Sequence, residues 1–251
     1  MFFINAMLDN RALVGYYTGA TNFAKIPYYL LTAIYLVALP VITQRYSAKD
    51  FSGCNQVINQ FFETIFLFIL PISCIAAPFS GNLMAGFYRP EYRLAALPTA
   101  MLMFSQFFIG FMVVLNIFLY ATSAKRYGTI VVTCVLALDA LLCFTLIPRF
   151  SITGAAAATL VSGLLGCVMT MIKVRKAFPG IWNNQLTVLV FSNLIYASVL
   201  MFLSKYLIID NLISSIMLCA FAYIVFILVV WGSRIASPLN LIRNLRNQDT
   251  K

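Results

Sequence analysis

Histidine is absent from this 251-residue chain, and charge is scarce. Its 17 Lys and Arg and 7 Asp and Glu make up 10% of the residues, against about 25% in an ordinary soluble domain. Without imidazole, neither a histidine-based triad nor a histidine metal site can be built. Neither a Walker-type nor a dinucleotide glycine motif occurs. The 6 cysteines, Cys54, Cys74, Cys134, Cys143, Cys167 and Cys219, contain no CxxC pair. All but Cys54 fall in apolar stretches and read as small buried hydrophobes. No metal and no cofactor is expected, and no catalytic residue stands out. The loops are also too short for a membrane enzyme of glycan assembly, which needs a sizeable extramembrane loop. An enzyme is therefore not expected.

What is present is hydrophobicity: 62% of the residues, with mean hydropathy +0.93. No soluble core uses that much apolar surface, but lipid can solvate it. In lipid every backbone polar group must be satisfied internally, which allows helices or closed barrels. The apolar stretches are long and continuous rather than alternating, which excludes the barrel. The expected fold class is all-α, a polytopic transmembrane helix bundle of about seven spans.

The chain divides as follows. Residues 1–11 read as the end of a truncated transmembrane helix and an external turn, because eight apolar residues cannot cross a core that needs about 20. The stub lacks the basic start and full apolar region of a signal peptide. Residues 12–172 form a bundle of five spans, the first kinked or tilted by Pro27. Within it, the polar stretch Ser47 to Gln60 is expected to lie at the membrane surface. Residues 173–185 are a basic connector, 186–233 hold two further spans, and 234–251 are a polar tail.

Net charge +10 raises the question of nucleic acid, but the basic residues sit in short loops between spans. One side collects eleven: Arg45, Lys49, Lys125, Arg126, Lys173, Arg175, Lys176, Arg234, Arg243, Arg246 and Lys251. The other collects five: Arg11, Arg89, Arg93, Arg149 and Lys205. The positive-inside rule makes the first side, and the C-terminus with it, cytoplasmic. No nucleic acid partner is expected; membrane lipids are.

Ionisable residues inside spans mark cavities or pairs, because a charge at a helix centre costs roughly 2.5–3.5 kcal/mol on insertion scales. Lys25 lies near the middle of the first span, with Asn22 on the same helical face. Lys25 either lines a hydrated cavity and attracts an anionic group such as phosphate, or pairs with a carboxylate. Asp139, in the fourth span, is that partner, a cation or proton site, or a structural hydrogen-bond acceptor. Asn116 lines the cavity or bonds a neighbouring helix. Glu63 reads as an interfacial, solvated carboxylate. Small residues at Gly15 and Gly19, and at Gly154, Ala158, Ser162 and Gly166, read as plain helix packing. Tyr16, Tyr17, Tyr28 and Tyr29 are placed to stack on sugar rings or to face lipid.

The run Val14-Gly15-Tyr16-Tyr17-Thr18-Gly19-Ala20, then Ile26-Pro27 and Leu39-Pro40, resembles the opening of the second lobe of polysaccharide-biosynthesis and O-antigen flippases. These belong to the multidrug/oligosaccharidyl-lipid/polysaccharide (MOP) exporter superfamily. Glu91-Tyr92 before an alanine pair, Asn116 followed by Ala121 and the basic turn, and Leu146-Ile147-Pro148 with Gly154-Ala155-Ala156-Ala157-Ala158-Thr159 are similar to that family in order and spacing. Ser151 departs from it, where a glycine is usual, and so does Asp139, where asparagine is common. The resemblance implies the second lobe of a two-lobe, MATE-like transporter plus two extra C-terminal helices. It implies a bacterial inner (plasma) membrane protein that flips lipid-linked pyrophosphate oligosaccharides or polysaccharide repeat units by alternating access. Lys25, Asn22, Asn116 and Asp139 would then line the substrate cavity. The remaining partner would be the missing N-terminal lobe or a second copy of the chain. A MATE-like drug or metabolite exporter is the alternative.

Overall fold

The computed structural model describes residues 10–120, 125–204 and 212–232, and every regular element among them is helical. In chain order these are α1 (Arg11–Ala24), α2 (Ile26–Ser47), α3 (Phe51–Thr64), a π-helical turn (Ile65–Ile69) and α4 (Leu70–Ala76). There follow α5 (Ser80–Phe87), a 3-10 turn (Pro90–Ala95), α6 (Ala96–Tyr120), α7 (Lys125–Ala177), α8 (Asn184–Leu203) and α9 (Leu212–Gly232). The expected apolar stub Met1 to Leu8 and the tail 234–251 lie outside the described residues.

Among the described residues, six stretches are long and apolar enough to cross a membrane. One of them, Arg126–Ala177, has 52 residues and would reach about 78 Å as a straight helix, more than twice the bilayer core of about 30 Å. It folds back instead. Ser151 leaves the helical region with φ 53° and ψ −135°. Beyond it the chain runs antiparallel to itself. The Tyr127 hydroxyl donates to the Met169 carbonyl at 3.2 Å, and the Ser162 hydroxyl to the Asp139 carboxylate at 3.1 Å. The two arms, 125–150 and 152–177, raise the number of crossings to the expected seven.

The first crossing is also interrupted. Pro27 occupies the first turn of α2, where its missing N–H costs least, and the helix breaks at Lys25 just before it. From Phe51 onward the polar stretch Ser47 to Gln60 is helical and runs on into apolar residues, within the stretch Phe51–Ala76 that is long and apolar enough to cross a membrane. Asp50 caps that helix by accepting from the Gly53 N–H at 2.9 Å and the Ser52 hydroxyl at 3.1 Å. These two donors, with the Arg45 guanidinium 3.3 Å away, hold the Asp50 carboxyl below its usual range. The polarity of α3 is one-sided. Gly53, Cys54, Val57, Ile58 and Phe62 bury its other face, with the Cys54 thiol 4.0 Å from the Ile42 carbonyl of α2.

Pro71 shapes the middle of this crossing. Within the π turn the Leu70 N–H reaches the Ile65 carbonyl, five residues back. In that register the Phe66 carbonyl falls to residue 71, which is proline and has no N–H to offer. The Asn193 amide of α8 donates to Phe66 O instead, at 2.9 Å. The Tyr223 hydroxyl of α9 donates to Phe68 O at 3.1 Å. A third bond, from the Tyr196 hydroxyl to the Ala222 carbonyl at 2.7 Å, ties α8 to α9. The two C-terminal helices are thus fastened to irregular backbone.

Helix α6 forms the centre, with buried residues on all sides from Pro98 to Leu119. Glycines set its distance from its neighbours. A Cβ at Gly110 would lie 2.8 Å from the Leu31 side chain and 3.3 Å from the Tyr28 backbone of α2. One at Gly163 would lie 3.1 Å from Ile109. Large apolar side chains such as Leu36, Leu136, Phe144, Ile195 and Ile213 stand exposed around the outside, a defect in water and the normal state in lipid.

Two predictions follow from the backbone. Asn193→Leu, which strands the Phe66 carbonyl, costs about 1–2 kcal/mol in a reversible unfolding titration in micelles. In a Pro71→Ala background residue 71 regains an N–H, so the same change costs at least about 0.5 kcal/mol less. Full additivity of the two changes would refute the account. Ser151→Gly raises stability by about 1–3 kcal/mol, because Ser151 holds a backbone conformation that glycine adopts freely and buries a hydroxyl without a partner. An unchanged melting temperature would show that the turn is unstrained.

Candidate functional site

The exposed side of α1 and α2 carries the most informative polar groups. Asn22 is exposed and Lys25 half-buried, followed along the same face by exposed Ile26, Tyr29, Ala33 and Leu36. Lys25 occupies the one-residue break between the two helices. Arg45–Asp50 is the ion pair formed among the described residues, so no described carboxylate neutralises Lys25. Apart from the neutral amide of Asn22 the face is apolar, which makes the ammonium the dominant source of potential along it.

Asp139 sits elsewhere. It faces the second arm of the hairpin, where the Ser162 hydroxyl donates to Oδ1. Tyr17, 6% exposed, comes from α1 into the same region, in the buried cluster that holds Cys143, Ala155 and Ala158 of the two arms. Lys25 lies eight residues past Tyr17, about 12 Å farther along the helix axis. Lys25 and Asp139 therefore do not pair, and the carboxylate takes the part of hydrogen-bond acceptor inside the bundle.

Asn116 is 4% exposed at the crossing of α6 and α7. Its Oδ1 has no hydrogen-bond partner among the described residues. The absence of a side chain at Gly128 leaves room for it: a Cβ there would lie 2.6 Å from that oxygen. Of the four candidates, the structure brings Asn22 and Lys25 onto one face. It places Asp139 in the hairpin and Asn116 at a helix crossing. Glu63 is half-buried in α3.

The small-residue stripes find their partners within the chain. Gly19 sits beneath the Tyr92 ring, where a Cβ would come within 2.8 Å of it, and Tyr88 covers the same spot. The Tyr88 and Tyr92 rings stack at 4.8 Å, and Tyr16 meets Tyr92 edge-on at 4.9 Å. Gly154 lies against the Leu146 carbonyl, and Gly166 against Val135 and Met112. Of the four tyrosines considered for sugar stacking, Tyr16 and Tyr17 are engaged internally, while Tyr29 is 62% exposed. The role of Ser162 at Asp139 was missed in the sequence, because a hydroxyl's partner 23 residues away on the opposite arm of the hairpin leaves no local signal. Spacing from the hairpin turn was the available clue: residues 139 and 162 lie nearly equidistant from Ser151.

This all-helical, multi-pass architecture defines an integral membrane protein. The model of the MatE family matches residues 1–145, and the chain belongs to that family, within the MOP exporter superfamily. Its members are transporters rather than enzymes. No curated protein and no solved structure matches the chain.

Proposed function

We propose that the chain is the second lobe of an exporter that moves lipid-linked oligosaccharide or polysaccharide repeat units across the bacterial inner membrane. The observation that carries the reading is Lys25: a cation at a helix break in mid-span, partly exposed, with no described carboxylate beside it. A pyrophosphate brings the missing negative charge. Asn22, one turn earlier on the same face, supplies a neutral donor and acceptor for phosphate or sugar oxygens. The lipid tail stays in the bilayer while the head crosses with the face of α1 and α2. Alternating access needs two bodies around one site, so the face is completed by a first lobe or by a second copy. No covalent bond changes in the cycle, and the residues act by neutralising and orienting.

Lys25→Ala lowers export about tenfold or more at limiting substrate, since a hydrogen bond to a charged group is worth about 1.5–3 kcal/mol and 1.4 kcal/mol is tenfold. Lys25→Arg keeps a measurable part. The assay is complementation of glycan export at equal protein level, and full export by the alanine variant would end the proposal. Asp139 supports a second reading, a MATE-like drug or metabolite exporter, because a carboxylate among Ser162, Thr159 and Tyr17 can bind a coupling cation. Loss of transport in Asp139→Asn with none in Lys25→Ala would favour that reading.

The orientation follows from the eleven-to-five division of basic residues. The helix directions gather Arg45, Lys49, Arg126, Lys173 and Lys176 at one end of the bundle and Arg11, Arg89, Arg93 and Arg149 at the other. In a cysteine-free background, a cysteine at Pro90 is labelled on intact cells by an impermeant thiol reagent and one at Lys176 is not. The reverse pattern would invert the topology.

A further inference from the structure

Far from Lys25, two cavities of about 320 and 450 Å³ share Cys74, Phe104 and Leu194 and so form one groove. Its walls come from α4, α6, α8 and the second arm of α7, and no residue of α1 or α2 lines it. On α7 the lining residues Leu160, Leu164, Val168, Ile172 and Arg175 recur every three or four positions, one helical face. From Leu160 to Arg175 that face runs about 22 Å along the helix. One leaflet of the bilayer core is about 15 Å deep. The groove therefore spans the full depth of one leaflet and somewhat more, in the direction of an acyl chain.

Its lining is apolar apart from Ser198, whose hydroxyl donates to the Leu194 carbonyl of its own helix at 2.9 Å, and from the end that Arg175 forms. There Arg175, exposed, holds its guanidinium 6.0 Å from the centroid of the Trp182 ring. Trp182 is itself a wall of the groove, and its indole N–H donates to the Thr187 hydroxyl at 2.8 Å. A tryptophan in this position marks the level of the headgroups. Arg175 pairs with no carboxylate among the described residues. Lys173, which lies over the Tyr127 ring at 5.3 Å, and Lys176 add to the positive field at this end. A zwitterionic headgroup would bring its own ammonium to this cluster and gain little. A headgroup of net negative charge would gain the full interaction, because its phosphate meets a planar guanidinium that nothing else neutralises.

We propose that this groove is a site for an anionic glycerophospholipid, with one acyl chain along α7 and α8 and the phosphate at Arg175. The site is independent of the transported substrate. It would hold α8 against the hairpin by filling the space between them.

Trp182 is a built-in probe. With Trp231→Phe, its fluorescence alone reports contact with phospholipids brominated on the acyl chain. In proteoliposomes of the full chain, dibrominated phosphatidylglycerol should quench Trp182 at about fivefold lower mole fraction than dibrominated phosphatidylcholine. Arg175→Gln should erase that difference and Arg175→Lys should keep most of it; the side chain is exposed, so neither change endangers folding. Equal quenching by the two lipids in the unmodified groove would overturn the proposal. So would relief of quenching by an unlabelled polyprenyl phosphate at lower mole fraction than by unlabelled phosphatidylglycerol, which would give the groove to a polyprenyl tail. None of these readouts depends on Lys25 or on transport.

Discussion

A carbonyl stranded in hydrocarbon has no water to turn to, and that constraint organises this chain around Pro71. The proline removes the donor that the Phe66 carbonyl needs in the π register. In a soluble protein, solvent would meet the demand. Here Asn193 meets it from α8, and Tyr223 serves Phe68 nearby from α9. The attachment of the last two helices is therefore directional rather than a matter of apolar contact, which drives little association among helices already solvated by lipid. It also fixes where α8 stands. Held to the π turn, it leaves a gap beside the second arm of α7, and that gap is the groove that ends at Arg175.

The same absence of hydrophobic drive explains how the small residues are used. Gly110, Gly163 and Gly166 let α2 and the hairpin approach the central helix closely enough for backbone and side chains to touch. Gly19 admits the Tyr92 ring, and the stacked Tyr88 donates to the Gly19 carbonyl at 3.4 Å. Each close approach is consumed inside the chain. The outward surfaces of the hairpin, α8 and α9 are left to large aliphatic and aromatic side chains, which lipid accommodates without specificity.

Composition and continuous apolar length made the fold class legible, because a bilayer imposes a length on any helix that crosses it. The hairpin turn was legible through Pro148 and the small residues after it. Two features were hidden. The stretch before Gln60 reads as polar surface when its residues are counted, but their spacing buries one face on α2, and from Phe51 it is a helix that runs on into apolar residues. The π turn has no propensity signature. Pro71 predicts an interruption without saying that distant donors will repair it. The site was partly legible. Depth in the span singled out Lys25 and Asp139, while the partners that distinguish them come from other helices and lie beyond any local pattern.

The two charges inside spans are treated differently, and the difference has a direction. Asp139 receives a hydroxyl from Ser162 and is enclosed by elements of its own chain, so its electrostatic cost is met internally. Lys25 receives no described carboxylate and shares its face with Asn22 and the apolar Ile26, Tyr29 and Leu36. A cation facing lipid at this depth costs roughly 2.5–3.5 kcal/mol on insertion scales. A helix break in mid-span adds to the irregularity the bilayer must tolerate there. Both costs fall away if the face of α1 and α2 borders a hydrated or protein-lined space, since water or an anion then solvates the ammonium. On the reading proposed above, a complementary body would border this face, opposite in character to the groove, whose single cation lies at headgroup depth where lipid itself can satisfy it.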